Sequence, residues 1–432
     1  MTLAERLAKI RALRHAIARD PRALARTAAR PGASEADILV AEVLPLLEAC
    51  RFLERRAEPL LAERRPEGSR PIWLLGTKLR VRRIPLGRVL VIGPANYPLL
   101  LPGVQALQAW VAGNSVTIKP APGCAAPMTW LAAALDDERF DVIADTAEAV
   151  GETIAGGVDH VVLTGSATTG RAVLTMLAPM LAGATMELSG RDALIVLPGA
   201  DLPHVARAIA FGLRFNAGRT CIAPRRVIVV GDRQAARLRS VLPAALGDAT
   251  IPVAAPLMAQ VLAITAGHTP IGHASGMTDT EMPPLLLDAA DDAEWTTRDL
   301  FAPLASFHVV PDTPSAMTLA DAGPFALGAA VFGPAAAAGR VARSLRAGCV
   351  LVNDVIVPTA DPRLPFGGTG ESGFGTTRGA EGLLAMTRPQ AIVVRIGGGT
   401  RHLTTLGPDA APLVARLIRA AHGNALDRFK RY

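Results

Sequence analysis

From about Arg88 onward, short β-branched runs alternate with longer stretches of helical apolar spacing, and no other property of the chain limits its fold as much. Residues 89–92, 115–118, 160–163, 193–197 and 227–230 are the clearest strand candidates. Their near-continuous apolar character belongs to strands covered on both faces, hence to a parallel sheet. Parallel neighbours cannot be joined by a tight turn, so each pair needs a crossover, and the helical stretches supply it. At 432 residues the chain exceeds the size at which one core stops growing, so two domains or one elaborated α/β unit are expected. Half of the residues are hydrophobic, and 40 Gly with 34 Pro imply many tight connections, a balance that argues against low-complexity disorder.

Ahead of the first strand, residues 35–63 read as an amphipathic helix kinked or broken at Pro45 and Pro59. Residues 72–81, with Gly76 between two short runs, read as a hairpin, and residues 410–428 as a second amphipathic helix. Residues 1–10 have helical apolar spacing broken by charges, without the apolar centre of an export signal. Residues 249–278 lack Asp, Glu, Lys and Arg, but their prolines and glycines with His268 and His273 argue for core plus loop rather than a membrane span. The net charge of +7 comes largely from arginines spread along helices, such as Arg51, Arg55 and Arg56; no series of stacking aromatics interleaves the basic residues, so a solvated face is expected and nucleic acid is not. The four cysteines, Cys50, Cys124, Cys221 and Cys349, show neither metal-ligand pairs nor a disulfide rhythm, which fits a reducing compartment and no metal site.

Chemistry concentrates at a few positions. A lone cysteine is most often a small buried hydrophobe, but Cys221 is preceded by Glu187 in the apolar run Ala184-Thr185-Met186-Glu187-Leu188. A carboxylate there is costly unless paired or protonated, so Glu187 is either half of a structural ion pair or a proton acceptor serving a Cys221 nucleophile. No G-x-G-x-x-G follows the first strand. Gly165 and Gly170 have P-loop spacing, yet Arg171 and Ala172 stand where Lys and Ser or Thr would be needed. Thr164-Gly165-Ser166 between a strand and a helix suits a pyrophosphate, the alternative being an ordinary N-cap at Ser166. Lys119 ends a strand where α/β sheets receive ligands, or is an exposed charge. Asn96, between Pro94 and Pro98, reads by itself as a turn residue.

Taken in order, Gly93-Pro94-Ala95-Asn96-Tyr97-Pro98, Gly113-Asn114-Ser115-Val116-Thr117-Ile118-Lys119-Pro120, Leu163-Thr164-Gly165-Ser166, Met186-Glu187-Leu188-Ser189-Gly190, Asn216-Ala217-Gly218-Arg219-Thr220-Cys221, Asp299-Leu300-Phe301-Ala302-Pro303 and Pro365-Phe366-Gly367-Gly368 resemble the aldehyde dehydrogenase superfamily from about Ala41 to Arg395. Arg83 to Gly93 and Gly367 to Gly373 are most similar to its short, dimeric class 3 branch. The resemblance implies a Rossmann-like cofactor domain (1–68 and 88–188), an α/β catalytic domain (189–388), and a β-hairpin oligomerisation arm with a tail (69–87 and 389–432) in a cytoplasmic homodimer. It implies that NAD or NADP oxidises a small-molecule aldehyde to a carboxylic acid. Cys221 would be the nucleophile, Glu187 the hydrolytic base, and Asn96 with the Cys221 N–H the oxyanion donors. Lys119, Thr164, Gly165, Ser166, Gly170, Asp299 and Phe301 would hold the cofactor, Lys119 at the adenosine ribose and Asp299 at the nicotinamide ribose.

Several positions depart from the family pattern. Ala95 replaces a usual Trp, Arg219 a Gln, Ser189 a Gly, Arg191 a Lys, Asp299 a Glu and Ala302 a Gly, and the stretch from Cys221 to Asp299 is short. Pro122 replaces a frequent Glu, which removes a charge that would repel a 2′-phosphate. These changes keep two other readings open, a CoA-linked relative and a catalytically weak binding protein.

Overall fold

The computed structural model describes residues 1–68, 76–289, 300–397, 403 and 405–423. The chain divides into two compact units, Met1–Ala62 with Arg83–Pro389, and Glu63–Arg82 with Gln390–Tyr432. It opens with helices α1 (Leu3–Arg19), α2 (Pro21–Thr27), α3 (Glu35–Ile38) and α4 (Leu44–Leu61). Thr2 and Ser34 close capping boxes with Glu5 and Asp37 at the starts of α1 and α3, satisfying first-turn N–H groups.

The expected break at Pro45 is a different feature. Residues Leu39–Val43 form a π-helical turn, and the Leu44 N–H reaches back to the Leu39 carbonyl. Pro45 follows the widened turn directly, with the backbone right-handed helical from Ile38 through Leu44 into α4, and Pro59 sits near the helix end. The widened turn buries Ala41, Glu42 and Val43 together.

In the smaller unit, β1 (Thr77–Pro85) pairs with strand Thr387–Arg395, and Arg80 meets Glu63 at 3.0 Å. The first run of the expected hairpin lies outside the described residues. The amphipathic helix expected over 410–428 is seen as Ala410–His422, with none of its side chains buried.

The larger unit holds two large sheets, besides two short strand pairs. The six-stranded one contains β2 (Arg88–Ile92), β3 (Ser115–Lys119), β4 (Phe140–Val142), β5 (His160–Gly165) and β6 (Gly183–Leu188), in the order Gly373–Phe374, β6, β5, β2, β3, β4. Its sequential strands run parallel, as their apolar composition predicts. One face packs on α1, α4 and the fully buried α5 (Leu100–Val111) around Trp110, Leu53 and Val91; Leu90, Val161, Leu163 and Val173 fill the other. The seven-stranded sheet contains β7 (Ala193–Val196) and β8 (Arg226–Val230), in the order Pro270–Ile271, Leu285–Asp288, Leu304–Val310, β8, β7, Gly328–Phe332, Cys349–Val352. It too is covered on both faces, by clusters around Val227 and Phe307 and around Ile228 and Val331. All five strands expected from sequence occur, with ends shifted by no more than two residues.

Candidate active site

Parallel pairing brings the carboxyl ends of β2, β3, β5 and β6 to one edge, the position where open α/β sheets take ligands. The register sets Ile92 opposite Lys119 and Thr164 opposite Glu187. The short strand Gly373–Phe374 closes over β6 from the other side, with Gly373 opposite Glu187. Gly373 has φ +96°, and a Cβ there would lie 1.9 Å from the Met186 carbonyl oxygen, so no other residue allows this approach.

Glu187 is buried. Its Oε2 accepts from Thr377 Oγ1 at 2.5 Å, while Oε1 has no hydrogen-bond partner among the described residues. Burial pushes its carboxyl above the ordinary range; nearby Arg378 and the Thr377 and Gln105 contacts oppose that shift without cancelling it. A carboxyl so placed is a stronger base than a solvated one. Arg378 adopts φ +62°, ψ +171°, a region almost restricted to glycine, and its guanidinium donates to the Thr359 carbonyl at 2.9 Å and stacks 4.2 Å over Phe366.

Cys221 follows three left-handed residues, Asn216 (φ +52°), Ala217 (φ +56°) and Gly218 (φ +69°). Two of them carry a Cβ and cost about 1 to 3 kcal/mol each in this conformation, so the turn persists only because its surroundings dictate it. Asn216 Oδ1 accepts from Arg30 Nε at 3.1 Å and Nη2 at 2.8 Å, and its Nδ2 donates to the Asn96 carbonyl at 2.9 Å. The Gly218 carbonyl accepts from Arg225 Nη2 at 2.5 Å, and Arg219 reaches the Pro31 carbonyl. Arg30 is paired in turn with buried Glu42, whose Oε2 accepts from the N–H groups of Leu99 at 2.8 Å and Leu100 at 3.0 Å at the start of α5. A continuous buried polar network therefore runs from the π-helical turn to the Cys221 loop and to the segment carrying Asn96.

Asn96 Nδ2 donates to the Arg219 carbonyl at 2.7 Å, which sets this amide against the cysteine loop with its second N–H still available. Beside it, Tyr97 OH and Thr220 Oγ1 meet at 2.7 Å.

Two spaces meet at this point. A cleft of about 400 Å³ is lined by Asn96, Lys119, Thr164, Gly165, Ser166 and Phe301. A channel of about 80 Å³ is lined mostly by apolar side chains, among them Leu100, Phe215, Ile222, Ile356 and Phe366. Cys221, Glu187 and Leu101 line both. The thiol, the carboxyl and the amide singled out from sequence are thus brought together, along with five of the expected cofactor contacts. Ser166 also caps helix Ala167–Leu177, accepting from the Thr169 N–H at 3.1 Å. Gly170 does not line the cleft; it lies inside that helix, where a Cβ would come within 3.0 Å of Leu188. Asp299 lies outside the described residues.

Sequence reasoning missed Arg30, Glu42, Thr377 and Arg378. Only Glu42 carries a signal, being a carboxylate in the apolar run Leu39-Val40-Ala41-Glu42-Val43-Leu44, the same sign that drew attention to Glu187. Among the described residues there is no cluster of potential metal ligands and no helix long and apolar enough to cross a membrane.

The parallel sheets covered on both faces and the cleft at the carboxyl ends of β2, β3, β5 and β6 define a Rossmann-like α/β protein. The chain belongs to the aldehyde dehydrogenase family, whose pattern matches residues 1–261 and 258–392. A Mycolicibacterium smegmatis protein provisionally named succinate-semialdehyde dehydrogenase, NADP(+), is 29% identical over 81% of this chain and 72% of its own length. A 4,4'-diapolycopene aldehyde oxidase from a Methylomonas species is 29% identical over 83% of this chain and 71% of its own length. The solved structure of a Mycobacterium tuberculosis aldehyde dehydrogenase complexed with NAD+ has a TM-score of 0.83 at 21% identity, covering 93% of this chain and 87% of that one. At that identity the likeness is one of fold.

Proposed function

We propose that the chain oxidises an aldehyde to a carboxylic acid with NAD or NADP, through a thioester on Cys221. One observation carries the reading: Cys221 and Glu187 stand together where a cofactor-sized cleft meets an apolar channel. The cleft suits an anionic dinucleotide, since it combines Lys119, the Thr164-Gly165-Ser166 turn and a helix N-terminus, and Pro122 adds no opposing charge. Lys119 would lie at the adenosine ribose, Ser166 and Gly165 at the pyrophosphate, and Phe301 near the nicotinamide. When bound, the nicotinamide supplies a hydride acceptor.

The Cys221 thiolate attacks the aldehyde carbon, forming a C–S bond and an oxyanion. The second N–H of Asn96 and the Cys221 backbone N–H stabilise that oxygen, each such donor being worth about 3 kcal/mol in the transition state. Loss of hydride from the same carbon leaves the thioester. Glu187 accepts a proton from water as the water attacks the thioester carbon, the C–S bond breaks, and the acid departs with Cys221 restored as thiolate. A buried base of raised basicity suits hydrolysis, which favours water over CoA as the resolving nucleophile. The smaller unit, with its pair of strands, would serve subunit contact in a cytoplasmic homodimer of the class 3 type.

Purified protein incubated with NAD or NADP and a panel of aldehydes, with and without CoA, tests the reading. Reduced cofactor and free acid in equal amounts are expected without CoA. Acyl-CoA as sole product, or no reduction with any aldehyde, would overturn it.

A further inference from the structure

The channel that reaches Cys221 is lined mostly by apolar side chains; among the described residues its ionisable lining groups besides the thiol and Tyr97 are Glu187, which accepts from Thr377, and Arg378, which donates to the Thr359 carbonyl and stacks over Phe366. A short aldehyde with a carboxylate a few carbons away would have to place that charge among Leu100, Phe215 and Ile356, where an unpaired anion is costly. The channel does not end there. Val40, Pro45, Val357 and Ala360 line both it and an open vestibule of about 820 Å³.

The vestibule is different in character. Its rim keeps exposed apolar side chains at Val40, Leu44 and Val357, and α4 brings Arg51, Arg55 and Arg56 to it, with Arg363 contributed from the facing loop. Arg51 is taken by Glu48 at 3.0 Å and Arg363 by Asp361 at 2.5 Å. Arg55 and Arg56 have no carboxylate partner among the described residues, so the vestibule carries a net positive charge. Arg51 and Arg55 lie about 9 and 15 Å beyond Pro45 along the helix at the α-helical rise. An exposed arginine row is ordinarily a solvated helix face; here it borders the mouth of an apolar passage leading to the reactive thiol.

Resting on the proposed aldehyde oxidation, we infer that the substrate is an aldehyde at one end of an extended apolar chain whose other end carries an anionic group. The chain occupies the channel, and the anion lies among Arg51, Arg55 and Arg56. The sequence relatives named above do not fix this class, since one is named for a short acidic semialdehyde and the other for a long polyene aldehyde.

The test compares n-alkanals with ω-carboxy-alkanals of matched length, from succinate semialdehyde upward, in the wild type and in the exposed-face variant Arg51→Ala/Arg55→Ala/Arg56→Ala. In the wild type, kcat/KM is expected to rise with chain length, and long ω-carboxy-alkanals to exceed their methyl-ended counterparts by about tenfold, the scale of two or three surface charge contacts. In the triple variant that ratio falls toward one, through KM. Preference for succinate semialdehyde, a ratio of one in the wild type, or an unchanged ratio in the variant overturns the inference. If no aldehyde of any length is oxidised, the proposed activity fails instead, and calorimetric binding of a long-chain α,ω-dicarboxylate decides this point separately. Binding that weakens in the triple variant supports the site, and no binding to the wild type overturns it.

Discussion

Glu187 and Cys221 meet at one junction but are held there by opposite means. Glu187 sits on β6 between two backbone ladders, opposite Thr164 on one side and Gly373 on the other. Its place follows from sheet register, which the apolar pattern of the strand enforces. Cys221 sits on a loop whose left-handed turn is disfavoured in itself and is dictated by side chains distant in sequence, Arg30 and Glu42 foremost. A carboxylate that only has to face a water can be mounted on a rigid strand. In the proposed mechanism a nucleophile has to be aimed at a carbon with little positional tolerance, and Cys221 stands on a loop held by several independent restraints.

The largest expected effect removes the loop's cargo. Cys221→Ala abolishes aldehyde oxidation while leaving cofactor affinity, measured by fluorescence quenching, close to that of the wild type; substantial turnover in this variant would sink the mechanism. On the strand side, Glu187→Gln keeps the ladders and so the fold, but slows hydrolysis by about 10²- to 10⁴-fold, the usual contribution of a general base. One burst of reduced cofactor then precedes a slow steady state, with an acyl adduct on Cys221 visible by mass spectrometry. Absence of that adduct would count against the base assignment.

Breaking the restraint rather than the residue should separate the two regions. Glu42→Ala leaves Arg30 buried without its partner and is expected to cost about 3 to 5 kcal/mol of stability by thermal or urea unfolding. Where the variant remains folded, Cys221 alkylation by iodoacetamide should change in rate while the Glu187 pH dependence stays in place. An unaltered alkylation rate would show that the network does not position the thiol.

A subtler perturbation acts on the strand side alone. Glu187 must be ionised to accept a proton, and Arg378 favours the ionised form, so Arg378→Leu raises the Glu187 pKa further. The acid limb of the pH–kcat profile then moves to higher pH; a limb that stays put, or moves down, contradicts the assignment. The smallest effect concerns the cofactor cleft, where Pro122→Glu should shift the NAD to NADP ratio of kcat/KM toward NAD. An unchanged ratio would place Pro122 outside the ribose pocket.

What could be read from the sequence follows the same division. β2, β3, β5, β7 and β8 announce themselves because strand burial is written into consecutive residues, and the cost of Glu187 in an apolar run marks the segment that forms β6. The restraints on Cys221 were not legible, because Arg30 meets Asn216 across 186 residues and no local spacing records that contact. The π-helical turn was equally hidden, since Pro45 explains an interruption while the actual widening lies just before it. Thr377 and Arg378 gained meaning only when the chain's late segment was seen folded against β6.

That late segment has a consequence for the order in which the protein becomes competent during synthesis. Thr164, Glu187 and Cys221 all leave the ribosome well before Gly373 and Thr377, which cover the carboxyl and give it its hydrogen bond. A growing chain can therefore hold both groups before the carboxyl receives that cover and that hydrogen bond. In the proposed mechanism the raised basicity of Glu187 would appear only once strand Gly373–Phe374 has settled against β6, where a Cβ at residue 373 would meet the Met186 carbonyl oxygen, so the thiol loop can form before the base is complete.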